Sequence, residues 1–582
     1  MNMKKIGSLA FGLAVLGLAS CATDEPVNKV QNQPSAGEKD TYATITVTLP
    51  SSGTRAVDEN GIYTPDGTEV GQDYENNVGK IVVALATKVN EGQYNLLTYA
   101  ISDSKEVVGS NKLEYVLNFS SKEMTPDVVS EDKTTGNNTL NSQDVYVFAY
   151  CNPSQALLTQ ISENWEPGFN LASSVGSIAT ENGAWNEAMW SKNTFLMTNF
   201  TITKVETDYE DHRIPTRDVL VSKHNTPANA LDLGSIDVER AAARFDFMTV
   251  DVDGEGMNKY VIKDIDGKTA IGVVELTDMA MFNISKTFYY LPRTNSQWNW
   301  LGTTTLCSGL DNSNNFVVST NRSLKVTTPL PASQLGTSFF WPINDMSGYQ
   351  WQSIEPTAWN NRENDTDEGW NPSEGTTYKI WRYATENTIP QWGDSDNKNG
   401  SQRVGITTGV AFKGKFTPND KNVWNGNVVY VYNNIVYGDF KALKDYVATS
   451  PDTDVAKAFA KVSTFNVADD KIDQVLQTNL LSTLTSEQSN GFSAYVTDAD
   501  GSYLMYYFYY NRHNSNGINT TLGTNEFGVV RNNVYKLRVS TVNSLGRPTP
   551  PDPNTEDENE EAYFSVDVKV LPWVVRINDI EF

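Results

Sequence analysis

The sequence is poor in histidine, cysteine and basic residues, and each shortage excludes a class of function. Three His and three Cys occur in 582 residues, with no HExxH and no CxxC pattern, so the usual zinc-protease and thiol-redox motifs are missing. Lys and Arg number 45 against 71 Asp and Glu, and the net charge of −26 disfavours nucleic acid and anionic membrane surfaces as partners. After the first twenty residues, no apolar run approaches the roughly 20 residues of a membrane-spanning helix. With 39% hydrophobic and 11% aromatic residues, the chain should form a large globular body.

The first twenty residues have the pattern of an export signal. Lys4 and Lys5 precede a short apolar run at 6–18, and small residues then lead to Cys21. This ending resembles a bacterial lipobox, in which the cysteine becomes the lipid-carrying first residue of the mature chain. An ordinary secretory peptide with an incidental cysteine is the alternative. We predict a signal peptide at 1–20 and lipid attachment at Cys21.

Alternating segments near both ends of the chain predict strands. In the segment Thr41–Leu49, one face carries Ala43, Ile45, Val47 and Leu49 and the other face is polar, which is typical of a half-buried strand. Near the C-terminus, apolar residues alternate with polar ones at Phe564, Val566, Val568 and Val570 and, beyond Pro572, at Trp573, Val575 and Ile577. A strand on a flexible linker can pair with its own domain or with a neighbour's exposed sheet edge, and the alternation leaves both open.

The rest of the chain indicates a mainly β protein with a few peripheral helices. Further strands are predicted at 80–86, 144–150 and 534–539, and helices at 153–162, 441–447, 456–460 and 472–484. A second unit is predicted to begin near Leu231. Arg55 lies in a polar, Gly-containing linker that should be accessible.

Two thiols belong to the folded body. Cys151 and Cys307 form either one disulfide or two buried free thiols. Two cysteines in so long a chain are far from the density of a disulfide scaffold, which favours the free thiols.

Several motifs, in their order along the chain, together resemble the major fimbrial subunits, or fimbrillins, of Bacteroidetes, which are type V pilins. They are the lipobox at Cys21, the first strand with the Arg55-Ala56 junction, Val238–Ala242, Tyr383–Thr388, Thr408–Gly414, Arg531–Tyr535 and Leu571-Pro572-Trp573. The resemblance implies two tandem transthyretin-like β-sandwich domains. It further implies a structural subunit of cell-surface fimbriae that supports adhesion, has no catalytic site and needs no cofactor or metal.

The resemblance also implies how such a subunit matures. The precursor is anchored to the outer membrane by lipid on Cys21, and an Arg-specific surface protease cuts between Arg55 and Ala56. Arg240, Arg244 or another Arg residue, if exposed, could be cut instead. The first strand leaves with the propeptide, and the C-terminal segment Tyr563–Phe582 of another pilin subunit fills the groove. Anchor and tip subunits, and a host or bacterial surface ligand, are further candidate partners. The implied divisions are a propeptide at 21–55, domains at 56–232 and 233–546, and a linker with donor strand at 547–582.

A fimbrial tip adhesin or a free-standing surface lipoprotein is the alternative. The Trp-rich segment 341–392, with Trp351, Trp359, Trp370 and Trp381, could stack on sugar rings of a glycan. No pair of carboxylates, such as Glu363 and Asp365, has a spacing that fixes a glycosidase site. The acidic segments 394–400 and 498–501 lack EF-hand spacing and favour solvated turns.

Overall fold

β-Strands dominate the structure, a computed structural model, and they form where the sequence alternates or is rich in β-branched and aromatic residues. The described residues are 39–50, 69–90, 92–109, 111–125, 144–177, 180–181, 184–185, 195–209, 212–263, 267–295, 304–307, 316–324, 332–360, 378–388, 403–432, 435–462, 465, 491–513, 526–555 and 564–574.

The strands up to the middle of the chain are β1 Thr41–Thr48, β2 Glu69–Val70, β3 Ile81–Asn90, β4 Gln93–Ser102, β5 Lys105–Gly109, β6 Lys112–Phe119, β7 Val145–Cys151, β8 Val175–Ser177, β9 Thr180–Glu181, β10 Ala184–Trp185, β11 Met197–Asn199, β12 Thr203–Lys204, β13 Leu231–Arg240, β14 Ala242–Phe247, β15 Lys259–Lys263 and β16 Ala270–Phe282. The later strands are β17 Ile284–Ser285, β18 Thr287–Tyr289, β19 Arg293–Asn295, β20 Thr305–Leu306, β21 Phe316–Val317, β22 Phe339–Phe340, β23 Gln352–Ser353, β24 Lys379–Thr385, β25 Asn387–Thr388, β26 Gly409–Pro418, β27 Val428–Tyr432, β28 Ile435–Tyr437, β29 Phe492–Val496, β30 Tyr503–Tyr510, β31 Gly528–Val529, β32 Asn533–Val542 and β33 Phe564–Val574.

The helices are short and lie between strands. They are α1 Asp73–Asn76, α2 Ser121–Met124, α3 Gln155–Asn164, α4 Arg217–Lys223, α5 Ala332–Ser338, α6 Pro356–Asn360, α7 Phe440–Thr449 and α8 Asp454–Phe459, with 3-10 turns at Leu171–Ser173, Pro227–Asn229, Thr320–Ser323 and Met346–Gly348. In α3, the Ser154 side chain accepts a hydrogen bond from the Leu157 backbone, and Leu157 and Ile161 bury one face.

The first sheet has the order β4-β3-β7-β11-β13-β1-β6-β5, with β12 beside β7. Strand β13 lies in the middle of this sheet, between the strands β4-β3-β7-β11 and the strands β1-β6-β5. Its residues 231–237 run parallel to β1, and its residues 238–240 run antiparallel to β11. Strand β1 therefore has β13 as its neighbour on one side and the β5–β6 hairpin on the other.

The chain passes from the first sheet into a second at Ala241, between β13 and β14. The second sheet has the order β2-β33-β32-β14-β24, and a third has the order β15-β16-β26-β30, with β23 beside β16. Apolar residues from all three sheets share one buried core, among them Ile45, Phe245 and Phe412. The strand at the predicted start of a second unit, near Leu231, thus pairs within the first sheet, and the change of sheet comes at Ala241.

The predicted fold class and most of the predicted elements are confirmed. The mainly β fold is present, the strands predicted at 80–86, 144–150 and 534–539 correspond to β3, β7 and β32, and the three helices predicted at 153–162, 441–447 and 456–460 correspond to α3, α7 and α8. The helix predicted at 472–484 lies outside the described residues.

Candidate strand-exchange site

Strand β1 lies inside a sheet, with a neighbour on each side. It pairs with β6 in antiparallel register along its whole length, from Thr41 opposite Phe119 to Thr48 opposite Lys112. On its other side it runs parallel to β13, with Ala43 opposite Leu231 and a register shift before Thr46. Two ladders of backbone hydrogen bonds therefore hold the strand.

The inner face of β1 is apolar and belongs to the core. Ala43, Ile45, Val47 and Leu49 are exposed by 0%, 1%, 0% and 7%, and the alternate residues are half-buried. The half-buried strand predicted from the alternation is thus confirmed. The neighbouring strands line the same space with buried Leu113, Tyr115, Leu117 and Phe119 from β6 and Leu231, Leu233, Ile236 and Val238 from β13. Without β1, these two strands would border an apolar groove.

Both ends of β1 are tied to the surrounding loops. At the start, the Tyr42 backbone N–H donates to the His224 carbonyl at 2.7 Å, and the Asp40 carboxylate accepts from the backbone N and Oγ of Ser121 at 2.8 Å each. At the end, the Leu49 N–H donates to the Asn111 carbonyl at 2.8 Å. The structure therefore holds β1 as a complete strand up to the connection that leads to β2.

The predicted lipidation and cleavage positions, Cys21, Arg55 and Ala56, lie outside the described residues. Arg55 and Ala56 belong to the connection between β1 and β2. The other candidate cleavage positions, Arg240 and Arg244, are each 0% exposed, so a protease cannot reach them in this fold. Their burial corrects the idea that either could replace Arg55.

The C-terminal segment forms β33, which pairs with its own chain in the second sheet. Its register against β32 runs from Phe564 opposite Val542 to Pro572 opposite Asn533, and it includes the predicted donor positions Val566, Val568 and Val570. Trp573 pairs with Glu69 of β2. Val566 is half-buried and packs against the core.

The structure does not bring the two predicted exchange strands together, because β1 and β33 belong to different sheets. The remaining donor positions, Val575 and Ile577, lie outside the described residues.

A buried ionic cluster lies beside β33, and sequence reasoning missed it. Its members are Arg244 and Asp246 of β14, Lys536 of β32, and Glu69 and Glu75 from β2 and α1. Arg244 binds Glu69 at 2.8 Å, Glu75 at 3.0 Å and Asp246 at 2.8 Å, and Lys536 binds Glu69 at 2.8 Å. Charged residues at alternating positions within the otherwise apolar strand Ala242–Phe247 are the signal that could have indicated it, because buried charges need partners.

The charges of the cluster support one another. Burial alone would lower the pKa of the Arg244 guanidinium, but the carboxylates of Asp246, Glu75 and Glu69 raise it well above its usual value. Burial lowers the pKa of the neighbouring Arg240 to about 9, against the attraction of Glu75. The Tyr383 hydroxyl donates to Glu75 Oε1 at 2.5 Å, and burial together with that carboxylate raises the Tyr383 pKa well above its usual value. The segment from Glu69 to Asn76 is thus fixed to the second sheet by charge-assisted hydrogen bonds.

The candidate tryptophans that the structure describes in the Trp-rich segment are buried or half-buried. Trp359 is 0% exposed, and its Nε1–H donates to the Phe247 carbonyl at 3.3 Å. Trp381 is also buried, Trp351 is half-buried beside Lys413, and Trp370 lies outside the described residues. Two of the four candidate tryptophans are therefore unable to offer a face to a glycan.

The remaining candidate groups have structural roles where they are described. Cys151 and Cys307 are both buried thiols that form no disulfide, which confirms the favoured interpretation. In the turn at 498–501, the Asp500 carboxylate accepts from the Ser502 backbone at 2.9 Å and from Lys415 Nζ at 3.1 Å. The segment 394–400, Glu363 and Asp365 lie outside the described residues.

Two kinds of site are missing from the described part of the chain. It contains no group of three or more His, Cys, Asp or Glu side chains placed to hold a metal ion. Its helices are all too short or too polar to cross a membrane.

Solved structures similar to this chain come from the Bacteroidetes. A candidate cell adhesion protein from Parabacteroides distasonis is 12% identical, with a TM-score of 0.35 over 92% of this chain and 98% of its own. A fimbrilin from Porphyromonas gingivalis is 14% identical, with a TM-score of 0.34 over 92% and 98%. The fimbrial anchor protein Mfa2 from the same species is 9% identical, with a TM-score of 0.20 over 47% and 76%. These likenesses are too distant to carry a conclusion about function, and no curated protein matches the chain.

A family model gives the more specific result. The model described as "Major fimbrial subunit protein type IV, Fimbrillin, C-terminal" matches residues 501–579, which include strands β30 to β33. This match relates the C-terminal region of the chain to major fimbrial subunits. The C-terminal region of the chain is thus similar to the fimbrillin family, as the motifs of its sequence indicate.

Proposed function

We propose that this chain is a structural pilin subunit of cell-surface fimbriae, exported as a lipoprotein precursor and polymerised by protease-triggered strand exchange. The observation that carries the proposal is the position of β1. It is inserted between β6 and β13, its apolar face is in the core, and the connection that follows it contains Arg55. One cut in that connection would break the covalent link between β1 and the rest of the body, so that β1 would be held only by non-covalent contacts.

The loss of β1 supplies a driving force for assembly. Three large side chains, Ile45, Val47 and Leu49, leave the core, and at about 1.5–3 kcal/mol each their removal costs roughly 5–9 kcal/mol. The facing edges of β6 and β13 also lose their hydrogen-bond partners, which favours the addition of a new strand. A strand from another subunit that buries a similar apolar face recovers both contributions, so assembly needs no nucleotide.

The proposal assigns a role to each predicted site. Cys21 carries the lipid that holds the precursor on the outer membrane, and an Arg-specific surface protease cuts between Arg55 and Ala56. The C-terminal segment supplies the donor strand, and the partners are other pilin subunits, including anchor and tip subunits. The body consists of two sandwich domains, proposed at 56–232 and 233–546. The tip-adhesin alternative has less support, since Trp359 and Trp381 are buried.

Limited digestion of the purified precursor tests the proposal. An arginine-specific protease should produce a chain that begins at Ala56, and this chain should form a ladder of oligomers that resists detergent without heating. The Arg55→Lys variant keeps the positive charge and should remain uncut and monomeric. The matched control is Arg217→Lys, at an exposed position of α4, which should behave as the wild type. A chain that is cut before Ala56 but stays monomeric would contradict strand exchange, and a ladder from Arg55→Lys would contradict the protease trigger.

A further inference from the structure

The two strands that border β1 have unequal support on their other sides. Strand β6 pairs with β1 on one side and, over residues 112–115, with β5 on the other. Strand β13 pairs with β1 over residues 231–237. Within the described part of the chain, its only other partner strand is β11, which reaches residues 238–240 alone. Without β1, most of β13 would therefore lose the only described ladder that holds it.

The C-terminal end of β13 is where this strand is held from the other side. The Phe200 N–H donates to the Asp237 carbonyl at 2.9 Å, and β11 continues the pairing as far as Arg240. Just beyond, the Ala241 N–H donates to the Leu196 carbonyl at 2.9 Å. Because these backbone bonds are confined to residues 237–241, the position of the whole strand depends on how firmly this short segment is fixed.

Arg240 fixes this segment from inside the protein. Its side chain is 0% exposed, and its guanidinium donates to the Glu75 carbonyl at 3.2 Å, to the Asn76 side-chain oxygen and to Asn532 Oδ1 at 3.2 Å. The Arg240 backbone N–H donates to the same Asn532 oxygen at 3.3 Å. The planar guanidinium thus joins the end of β13 to two segments that are distant in sequence, with a geometry that only one position of the strand satisfies.

The neighbouring residue holds the other face of the strand. Successive side chains of a strand point to opposite faces, and Glu239 is 2% exposed. Burial alone would lower the pKa of the Arg531 guanidinium, but the carboxylates of Glu386 and Glu239 raise it. Arg531 in turn donates to the Tyr289 carbonyl at 2.7 Å and to Glu386 Oε2 at 3.1 Å. The end of β13 is therefore held by buried charges on both of its faces.

From these contacts we propose that Arg240 is a positioning residue for assembly, which keeps β13 in place when β1 leaves. The groove then stays open for an incoming strand. Closure of the empty groove is otherwise favoured, because it would bury again the apolar side chains that β1 had covered. The inference rests on the proposed release of β1 and concerns the acceptor groove, whichever strand fills it.

Asn532 is the position at which the proposal can be tested without removing a buried charge. It has a positive φ of 57°, which glycine adopts without strain, and Asn532→Gly removes the side-chain oxygen that accepts from Arg240. The matched control is Asn258→Gly. Asn258 is also buried, has a φ of 60°, and donates from its amide to the Ile354 carbonyl at 2.8 Å beside the third sheet. A general loss of stability would be common to both variants.

Hydrogen exchange, followed by mass spectrometry of peptides that cover residues 231–237, measures how firmly β13 is held. In the uncut precursor β1 covers this strand, so we expect wild-type protection in both variants. After digestion and removal of the propeptide, at a dilution that keeps the chain monomeric, exchange in Asn532→Gly should be faster than in the wild type by roughly tenfold or more, the factor that a hydrogen bond to a charged group represents. At higher concentration its oligomer ladder should form more slowly by a similar factor.

The proposal is overturned if, after digestion, either the exchange of residues 231–237 or the rate of ladder formation in Asn532→Gly stays at the wild-type value. Equal changes in Asn258→Gly would overturn it too, because the effect would then be general. Faster exchange already in the uncut variant would show a purely structural role for the contact and would also overturn it. A wild type that is cut but never forms a ladder removes strand exchange itself, so the two failures are distinguishable.

Discussion

The first strand and the C-terminal strand have the same alternating pattern, but the structure holds them by different means. Strand β1 lies between two long neighbours and contributes a purely apolar face to the core. Strand β33 has one long neighbour, and the two-residue strand on its other side is fixed by Glu69 in the buried ionic cluster. Apolar burial is non-directional and can be supplied by another strand of similar shape, whereas the charges require their own partners at fixed geometry. Strand β1 is therefore held by contacts that another strand could supply, whereas β33 lies beside charges that are satisfied only by their own partners.

The largest expected effect comes from placing a polar group on the inner face of β1. Ile45→Asn removes a large apolar side chain from the core and leaves an amide there without a built partner. We expect the free energy of unfolding of the precursor to fall by roughly 4–5 kcal/mol, from lost burial and from the unsatisfied amide. Chemical denaturation monitored by tryptophan fluorescence measures it.

The adjacent residue supplies the control for this comparison. Thr46 is half-buried on the other face of β1, so Thr46→Asn should cost at most about 1 kcal/mol, the range of strand propensities. Equal losses for the two variants would mean that the apolar face of β1 does not hold the strand.

A smaller effect is expected in the ionic cluster. Glu75→Gln removes a carboxylate that binds Arg244 at 3.0 Å and accepts the Tyr383 hydroxyl at 2.5 Å. Because a buried guanidinium then lacks part of its compensation, we expect a loss of roughly 3 kcal/mol in the free energy of unfolding. The same denaturation experiment measures it.

An exposed ion pair supplies the control for the cluster. The side chain of Lys441, which pairs with Asp445 on α7, is 75% exposed, and Lys441→Gln should cost less than about 0.5 kcal/mol. If Glu75→Gln lowers the free energy of unfolding as little as Lys441→Gln does, the cluster does not fix the segment Glu69–Asn76 to the second sheet. The proposed difference between β1 and β33 would then lose its support.

Local pattern was enough to predict the strands themselves. The alternation in Thr41–Leu49 identified both the strand and its buried face, and the alternation after Phe564 identified β33, because side-chain period is a property of a few consecutive residues. The alternation could not tell which sheet each strand would join. Leu231–Arg240 illustrates this limit, since the strand starts at a predicted boundary yet pairs with β1 in the first sheet.

The charges within Ala242–Phe247 predict that buried partners exist, but which residues pair in the ionic cluster could not be predicted, because its members are far apart in sequence. Arg244 and Glu75 are separated by 169 residues, and the sequence around one gives no signal that identifies the other as its partner. From the sequence, Arg240 and Arg244 are only alternative cleavage positions, and their complete burial rules out this role. Long-range pairs of this kind become visible only when the topology brings β2, β14 and β32 side by side.

The smallest expected effect is a pH dependence of stability, and it tests how well the apolar core beside β1 excludes water. Burial raises the pKa of the Cys151 thiol from 9.0 to about 12, and this thiol lies in the same core as the inner face of β1. Since the folded state favours the neutral thiol, its contribution is complete below pH 9 and is lost as the pH rises towards 12. At pH 10 the loss should be about 1.4 kcal/mol, one pKa unit above the unfolded value. We therefore expect the free energy of unfolding, measured by chemical denaturation at several pH values from 8 to 10, to fall more steeply with pH for the wild type than for Cys151→Ala. If the free energy of unfolding has the same pH dependence in both proteins, the thiol can ionise without global unfolding. The core beside β1 would then be more accessible to water than the burial of Cys151 indicates.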